Sequence, residues 1–250
     1  MSQTVSVVGG SGRLGTLAVR ALAELGAVAA SISRRTGFDL QRSTMDDLTR
    51  ALAGVDVVVD CSDATDRKVT TFESSARSLA EAAARAGVKH LVLVSIVGVD
   101  KPSLKGMSYY QGKLAQERAL TAGTVPVSIV RSTQWFGFAD QVYPSVRLAG
   151  GRWGLAPAMR MQPVSGEAVA ARLADAAFEP LPGQRLELAG PEVTSLADLI
   201  RRVWRARGQQ ARVAQVPIPG LKGFTDGALL PGPDAEIDPT TIEQWVASSS

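Results

Sequence analysis

The stretch Thr4-Val5-Ser6-Val7-Val8-Gly9-Gly10-Ser11-Gly12-Arg13-Leu14-Gly15 decides the fold. Its first five residues form an apolar, largely β-branched run that reads as a strand and stops at Gly9. From Arg13 onward, Leu14, Leu17, Ala18, Ala21, Leu22 and Leu25 recur at helical spacing, and Gly26 closes the segment. The loop between fits Gly-x-x-Gly-x-x-Gly at Gly9, Gly12 and Gly15, and Gly-x-Gly-x-x-Gly at Gly10, Gly12 and Gly15. Missing side chains let such a backbone approach a pyrophosphate, and the following helix points its positive N-terminus at that charge. Gly9, Ser11, Gly12, Arg13, Leu14 and Gly15 are therefore candidate cofactor-binding residues.

Outward from this loop the strand–helix rhythm continues. Strands are expected at 27–32, 55–60, 91–95 and 125–130, and helices at 44–53, 66–86 and 109–121. The run at 55–60 is apolar throughout, as for a strand buried on both faces of a parallel sheet. The alternation predicts an α/β doubly wound parallel sheet. After Trp135 it loosens: Gly150, Gly151, Gly154, Pro157 and Pro163 break a stretch read as substrate loops, and 217–238 has no period. Helices at 167–178 and 195–206 flank a short strand at 184–188, and Ser195 with Asp198 resembles a capping box. The expectation is one domain over 1–250, in which 1–134 mainly bind cofactor and 135–250 contribute a small C-terminal substrate-binding lobe.

Composition narrows the function. The chain has 250 residues, 45% apolar and 20% charged, enough for one sizeable core without staples. A single cysteine, Cys61, and a single histidine, His90, exclude an internal disulfide and multi-histidine metal sites, so no metal is expected. His90 precedes a strand and reads as partly exposed. No apolar run approaches a membrane span and no signal-like N-terminus is seen, so the expected location is cytoplasmic. The net charge of +3 is modest, and Arg201, Arg202, Arg205 and Arg207 read as the solvated face of an amphipathic helix. Neither nucleic acid nor membrane is an expected partner.

The end of the second strand selects the cofactor. A site for NAD places an acid there to bond the ribose hydroxyls. This chain has Ser33-Arg34-Arg35, and guanidinium groups grip a 2′-phosphate through forked, charge-assisted bonds. NADP(H) is thus favoured, with NAD(H) the alternative.

With these features the chain resembles the NmrA-like, atypical branch of the short-chain dehydrogenase/reductases, an NAD(P)-binding Rossmann fold. The likeness runs through Gly37-Phe38-Asp39-Leu40, placed after a third strand, and Ala86-Gly87-Val88-Lys89-His90-Leu91-Val92-Leu93-Val94-Ser95, leading into a fifth. It continues through Tyr109-Tyr110-Gln111-Gly112-Lys113-Leu114-Ala115-Gln116-Glu117, Ser128-Ile129-Val130-Arg131-Ser132-Thr133-Gln134-Trp135-Phe136 and Gly190-Pro191-Glu192. The resemblance implies that Asp39 and Leu40 meet adenine, and that Cys61 and Ser62, beyond a fourth strand, pass near the cofactor. Tyr109 and Lys113 form the superfamily's Tyr-x-x-x-Lys pair, which one helical face can present to one cleft. Lys113 would hold the nicotinamide ribose and favour ionising Tyr109, and Tyr109 would donate a proton to a substrate oxygen. Ser95 stands where the family's serine stretch begins, but the positions that usually carry the hydroxyl are Ile96 and Val97.

Seven of the 13 aromatic residues fall between 109 and 153. With Thr133 and Gln134, the residues Tyr109, Trp135, Phe136, Phe138, Tyr143 and Trp153 are the candidate substrate wall, suited to a flat ligand. Arg118, Arg131, Arg147, Arg152 and Arg160, against the lone acid Asp140, suggest a positive rim. The leading expectation is an NADPH-dependent reductase of a carbonyl, quinone or conjugated aromatic compound such as a polycyclic phenolic one, with homo-oligomers open. The alternative is a non-catalytic NADP(H)-sensing regulator.

Overall fold

The computed structural model describes residues 2–148, 153–210, 212–220 and 222–248. In chain order its elements begin β1 (Thr4–Val8), α1 (Arg13–Glu24), β2 (Val28–Ile32), α2 (Met45–Ala51), β3 (Val57–Asp60) and α3 (Val69–Ala86). Next come β4 (His90–Ile96), α4 (Ser108–Thr121), β5 (Val127–Ser132), α5 (Phe138–Val146), β6 (Trp153–Pro157) and β7 (Arg160–Met161). The remainder are α6 (Gly166–Phe178), β8 (Arg185–Ala189), β9 (Thr194–Ser195), α7 (Leu196–Ala206), β10 (Arg212–Val216), α8 (Lys222–Thr225), β11 (Glu236–Ile237) and α9 (Ile242–Ser248).

Among the described residues the main sheet has the order β11-β8-β5-β4-β3-β1-β2, and every pairing in it is parallel. The chain winds from β1 out to β2, then crosses back past β1 to β3. That reversal opens a crevice beyond the carboxyl ends of β1 and β3, where such sheets bind ligands. Both faces are covered, which is why the strands read as continuous apolar runs. On β4, Leu91 and Leu93 join a core with Leu48, Leu79 and Leu120 of α2, α3 and α4. Val92 and Val94 join another with Leu14, Leu22 and Leu173 of α1 and α6.

Four expectations need correction. Between β2 and α2 there is no strand, only a 3-10 turn at Arg34–Thr36, so Cys61 follows the third strand and not a fourth. The segment has only Phe38 and Leu40 to bury, and the Phe38 N–H is taken by the Ser33 carbonyl at 2.9 Å. His90 is buried within β4, its Nε2 bonded to Ser128 Oγ at 2.9 Å, rather than partly exposed. The stretch after Trp135 holds α5, β6 and β7 instead of loops alone. With α7, β10 and α9 they surround a third core of Phe136, Tyr143, Leu199, Val203 and Val246, while α6, β8 and β11 return to the main sheet. The Ser195 cap is half a box: its Oγ accepts from Asp198 N–H at 3.1 Å, whereas the Asp198 carboxylate accepts from Thr194 Oγ1. Gly150, Gly151 and Arg152 lie outside the described residues.

Candidate cofactor and active site

A cleft of about 650 Å³ opens beyond β1, β2 and β3. Gly9 turns the chain off β1 with φ +74°, and a Cβ there would lie 2.9 Å from the Cys61 carbonyl oxygen. Gly15 sits under the loop, where a Cβ would collide with the Gly9 backbone, so α1 packs directly against the turn. Helix α1 has no side-chain cap and no acid in its first turn. Its unpaired N–H groups and positive end are thus left for an anion. At the β2 end, the Ser33 hydroxyl is buried with no partner among the described residues, and Arg34 and Arg35 line the cleft beside Arg42. A glycine cradle, a free helix N-terminus and an arginine pair fit a dinucleotide with an extra phosphate.

Of the expected cofactor residues, Gly9, Ser11, Gly12, Arg34, Arg35, Asp39, Leu40, Cys61 and Ser62 line this cleft. Arg13 is exposed at the start of α1 and does not line it. The Leu14 side chain belongs to the core, leaving only its first-turn N–H to offer. Burial, with Asp60 beside it, pushes the Cys61 thiol up, away from the thiolate form.

The end of the cleft nearer α4 contains residues that spacing did not reveal. Lys113 is 4% exposed, and its Nζ donates to Gln116 Oε1 at 2.6 Å. Gln116 Nε2 donates to Asp60 Oδ2 at 2.8 Å, and Asp60 Oδ1 accepts from Ser62 N–H at 2.9 Å. Gln116 itself lines the cleft, so this chain ties Lys113 to the end of β3 beside the glycine loop. Burial lowers the Lys113 ammonium below its ordinary value, against the pull of Asp60 and Asp63. The signals present in sequence were Gln116 one turn beyond Lys113 and an acid closing an apolar strand.

Tyr109 is half-buried on α4, edge-on to Phe72 with ring centroids 6.0 Å apart. Its phenol is pushed up by burial and then by Asp63, and the cation that opposes this is Arg67, not Lys113. The expected pull of Lys113 on the Tyr109 phenol is corrected: its ammonium is turned to Gln116, and the cation that acts on the phenol is Arg67. Tyr110 packs into the third core. The Ser95 hydroxyl at the end of β4 is buried with no hydrogen-bond partner among the described residues.

The proposed aromatic wall divides. Phe136 is 1% exposed against Trp245, and Tyr143 is buried against Trp204, so both are core. Phe138 packs on the same core, and Trp135 donates from Nε1 to Ser132 Oγ at 2.9 Å. Thr133 is buried and donates to the Gln162 carbonyl at 2.6 Å. Gln134 keeps both amide atoms buried and unpartnered. Trp153 is 54% exposed in a separate groove under Arg212. Large rings bury apolar area wherever a core offers it, and here the third core does. The positive rim is also corrected: Arg131 is buried in ion pairs with Glu117 and Asp100, and Arg118, Arg147 and Arg160 do not line the cleft. Among the described residues no cluster of three metal-ligating side chains occurs, and no helix is long and apolar enough to cross a membrane.

Comparison with known proteins agrees with this geometry. Residues 9–180 match the family model described as NAD(P)H-binding. A curated relative from Streptomyces griseus, (4-alkanoyl-5-oxo-2,5-dihydrofuran-3-yl)methyl phosphate reductase, is 28% identical over 230 residues, covering 86% of this chain and 77% of the relative. Among solved structures, the NADPH-dependent quinone oxidoreductase of Escherichia coli with NADPH superposes with a TM-score of 0.77 at 18% identity, covering 98% of this chain and 99% of that one. The Citrobacter sp. triphenylmethane reductase with NADP(H) gives 0.77 at 15% identity, covering 99% and 100%. At these identities the two structures establish the shared fold. The chain belongs to the NAD(P)H-binding family and has a Rossmann fold.

Proposed function

We propose that the protein is an NADPH-dependent reductase of a small conjugated electrophile, such as a quinone, an unsaturated carbonyl compound or a polycyclic phenolic. The observation that carries this reading is that the glycine cradle and the Tyr109–Lys113 helix meet at one cleft: Gln116, which lines it, holds Lys113. Gly9, Gly12 and the α1 N-terminus would cradle the pyrophosphate, Arg34 and Arg35 the 2′-phosphate, Asp39 the adenine and Lys113 the ribose. Bound NADPH supplies hydride. Tyr109, kept protonated by burial and by Asp63, donates its proton to the acceptor oxygen. A conjugated acceptor needs less help from a serine hydroxyl, which suits a site with Ile96 and Val97 beyond Ser95. The reductase relative named above and the two fold neighbours are named for conjugated or quinonoid acceptors, which supports the class.

The test follows NADPH absorbance with a panel of hydroxylated polycyclic quinones and unsaturated lactones. Turnover with one class is expected, and Tyr109→Phe should lower it about 100-fold while NADPH affinity stays within about twofold. Arg34→Ala with Arg35→Ala should erase the preference for NADPH over NADH. The buried, unpartnered Ser95 hydroxyl favours a second reading, a regulator that senses NADP(H). Tight NADPH binding with no turnover across the panel would support it.

A further inference from the structure

The cleft carries a further cation, Arg67, with no part in the cofactor binding proposed above. Arg67 lines the cleft two residues before α3 and is the one described non-glycine residue with a left-handed backbone, φ 52°. That conformation is strained for a residue with a Cβ, and it persists where neighbours over-determine it. Here the Arg67 N–H donates to the Ala64 carbonyl at 3.1 Å. The Asp66 carboxylate accepts from Lys68 N–H at 3.1 Å and from Thr71 Oγ1 at 2.9 Å, pinning the turn on its other side. Glycine would make this turn without strain, so the reason for arginine lies in its side chain.

The guanidinium carbon stands 5.2 Å from the Tyr109 ring centroid, and Tyr109 meets Phe72 edge to face. Phe72 lines the cleft too. No hydrogen bond or ion pair with a described residue holds the guanidinium, although Asp63 shares this lip of the cleft and feels its charge. Arg202 and Arg207, by contrast, are neutralised by Glu192, Glu243 and Asp140. A free forked cation over an aromatic platform, beside the proton donor, is equipped for a planar molecule carrying an anion.

We propose that Arg67 binds a phosphate or carboxylate carried by the acceptor, so that the natural substrate is an anionic conjugated compound whose flat part lies beside Tyr109. This rests on the reductase reading for the role of Tyr109. The same guanidinium chemistry would also suit a cofactor phosphate, and the experiment separates the two sources.

Binding of 2-naphthyl phosphate and of 2-naphthol is measured by calorimetry on the protein saturated with NADP+, and NADP+ affinity is measured alongside. The phosphate should bind at least about tenfold tighter than the naphthol. Arg67→Gly should bring the ratio near one with NADP+ affinity within about twofold and Tm no lower, because strain is relieved. Arg67→Lys should keep most of the preference. A wild-type ratio near one, binding of neither ligand, or an Arg67→Gly variant that loses NADP+ affinity while keeping the ratio would overturn the proposal. A preserved ratio with no NADPH oxidation by any acceptor would sink the reductase reading alone.

Discussion

Arg131 and Lys113 are both buried cations held by α4, yet they are satisfied in opposite ways. Arg131 gives Nε and Nη2 to the two oxygens of Glu117 at 2.9 and 2.8 Å, and Nη1 to Asp100 at 3.0 Å. Arg185 adds a weaker contact to Glu117 at 3.4 Å. Every charge there has a partner, and the cluster ties β5, α4 and the loop after β4 together. Lys113 has three donors, and the one hydrogen bond it makes among the described residues goes to a neutral amide. Its nearest carboxylate, Asp60, is reached through Gln116. A buried charge with complete partners acts as a structural tie, whereas one with spare donors, held behind the cleft wall by Gln116, is equipped to meet a ligand that reaches it.

The sharpest way to break this contrast is Glu117→Ala. It strands the Arg131 guanidinium in the interior, and removing one partner of a buried pair costs about 3–5 kcal/mol. Chemical denaturation should report a loss of that size, and a loss below about 1 kcal/mol would reduce the cluster to ornament. Lys113→Met should do the reverse. Replacing a desolvated ammonium with an apolar chain of similar length should leave stability within about 1 kcal/mol, while turnover falls about 100-fold. A variant that unfolds instead would make the two cations alike.

Gly112→Ala probes the packing that separates them. A Cβ at Gly112 would strike the Phe72 ring, which lies 5.9 Å from Lys113 Nζ. Overpacking of this kind costs about 1–3 kcal/mol, so Tm should drop and acceptor KM should rise, since Phe72 borders the cleft. An unchanged Tm would show that Phe72 moves aside freely.

The smallest expected effect concerns a third buried base. Burial lowers the His90 pKa, so the unfolded chain binds the proton more readily than the fold does. Stability should therefore be complete above the ordinary histidine pKa of about 6.5 and decline as pH falls through it toward the lower folded value. The carboxylates whose values are lowered titrate in a more acidic range. His90→Gln should flatten the slope between pH 7 and 5, and an unaltered slope would assign it elsewhere.

Local information was strong where the backbone itself makes the site. The glycine loop, α1, and Arg34 with Arg35 are all short-range patterns, and each stands at the cleft beyond the sheet. In the third core periodicity found α7 but not its neighbours. Those elements are brief, α5 contains Pro144, and β7 and β9 have two residues each. Aromatic crowding between 109 and 153 looked like a pocket because composition does not distinguish a wall facing solvent from a ring facing a core.

By itself, the sequence determined the doubly wound parallel sheet, the glycine loop after β1 and a β2 end with arginines in place of an acid. These depend on residues within a few positions of each other, where backbone sterics and helix or strand spacing act directly. Only the tertiary structure decided which charged groups share a site. Lys113 reaches Asp60 across 53 positions through Gln116, Arg131 meets Asp100 across 31, and Arg67 comes to lie over Tyr109. Partnerships of that range follow from how α3 and α4 pack on the sheet, and no local pattern encodes that packing.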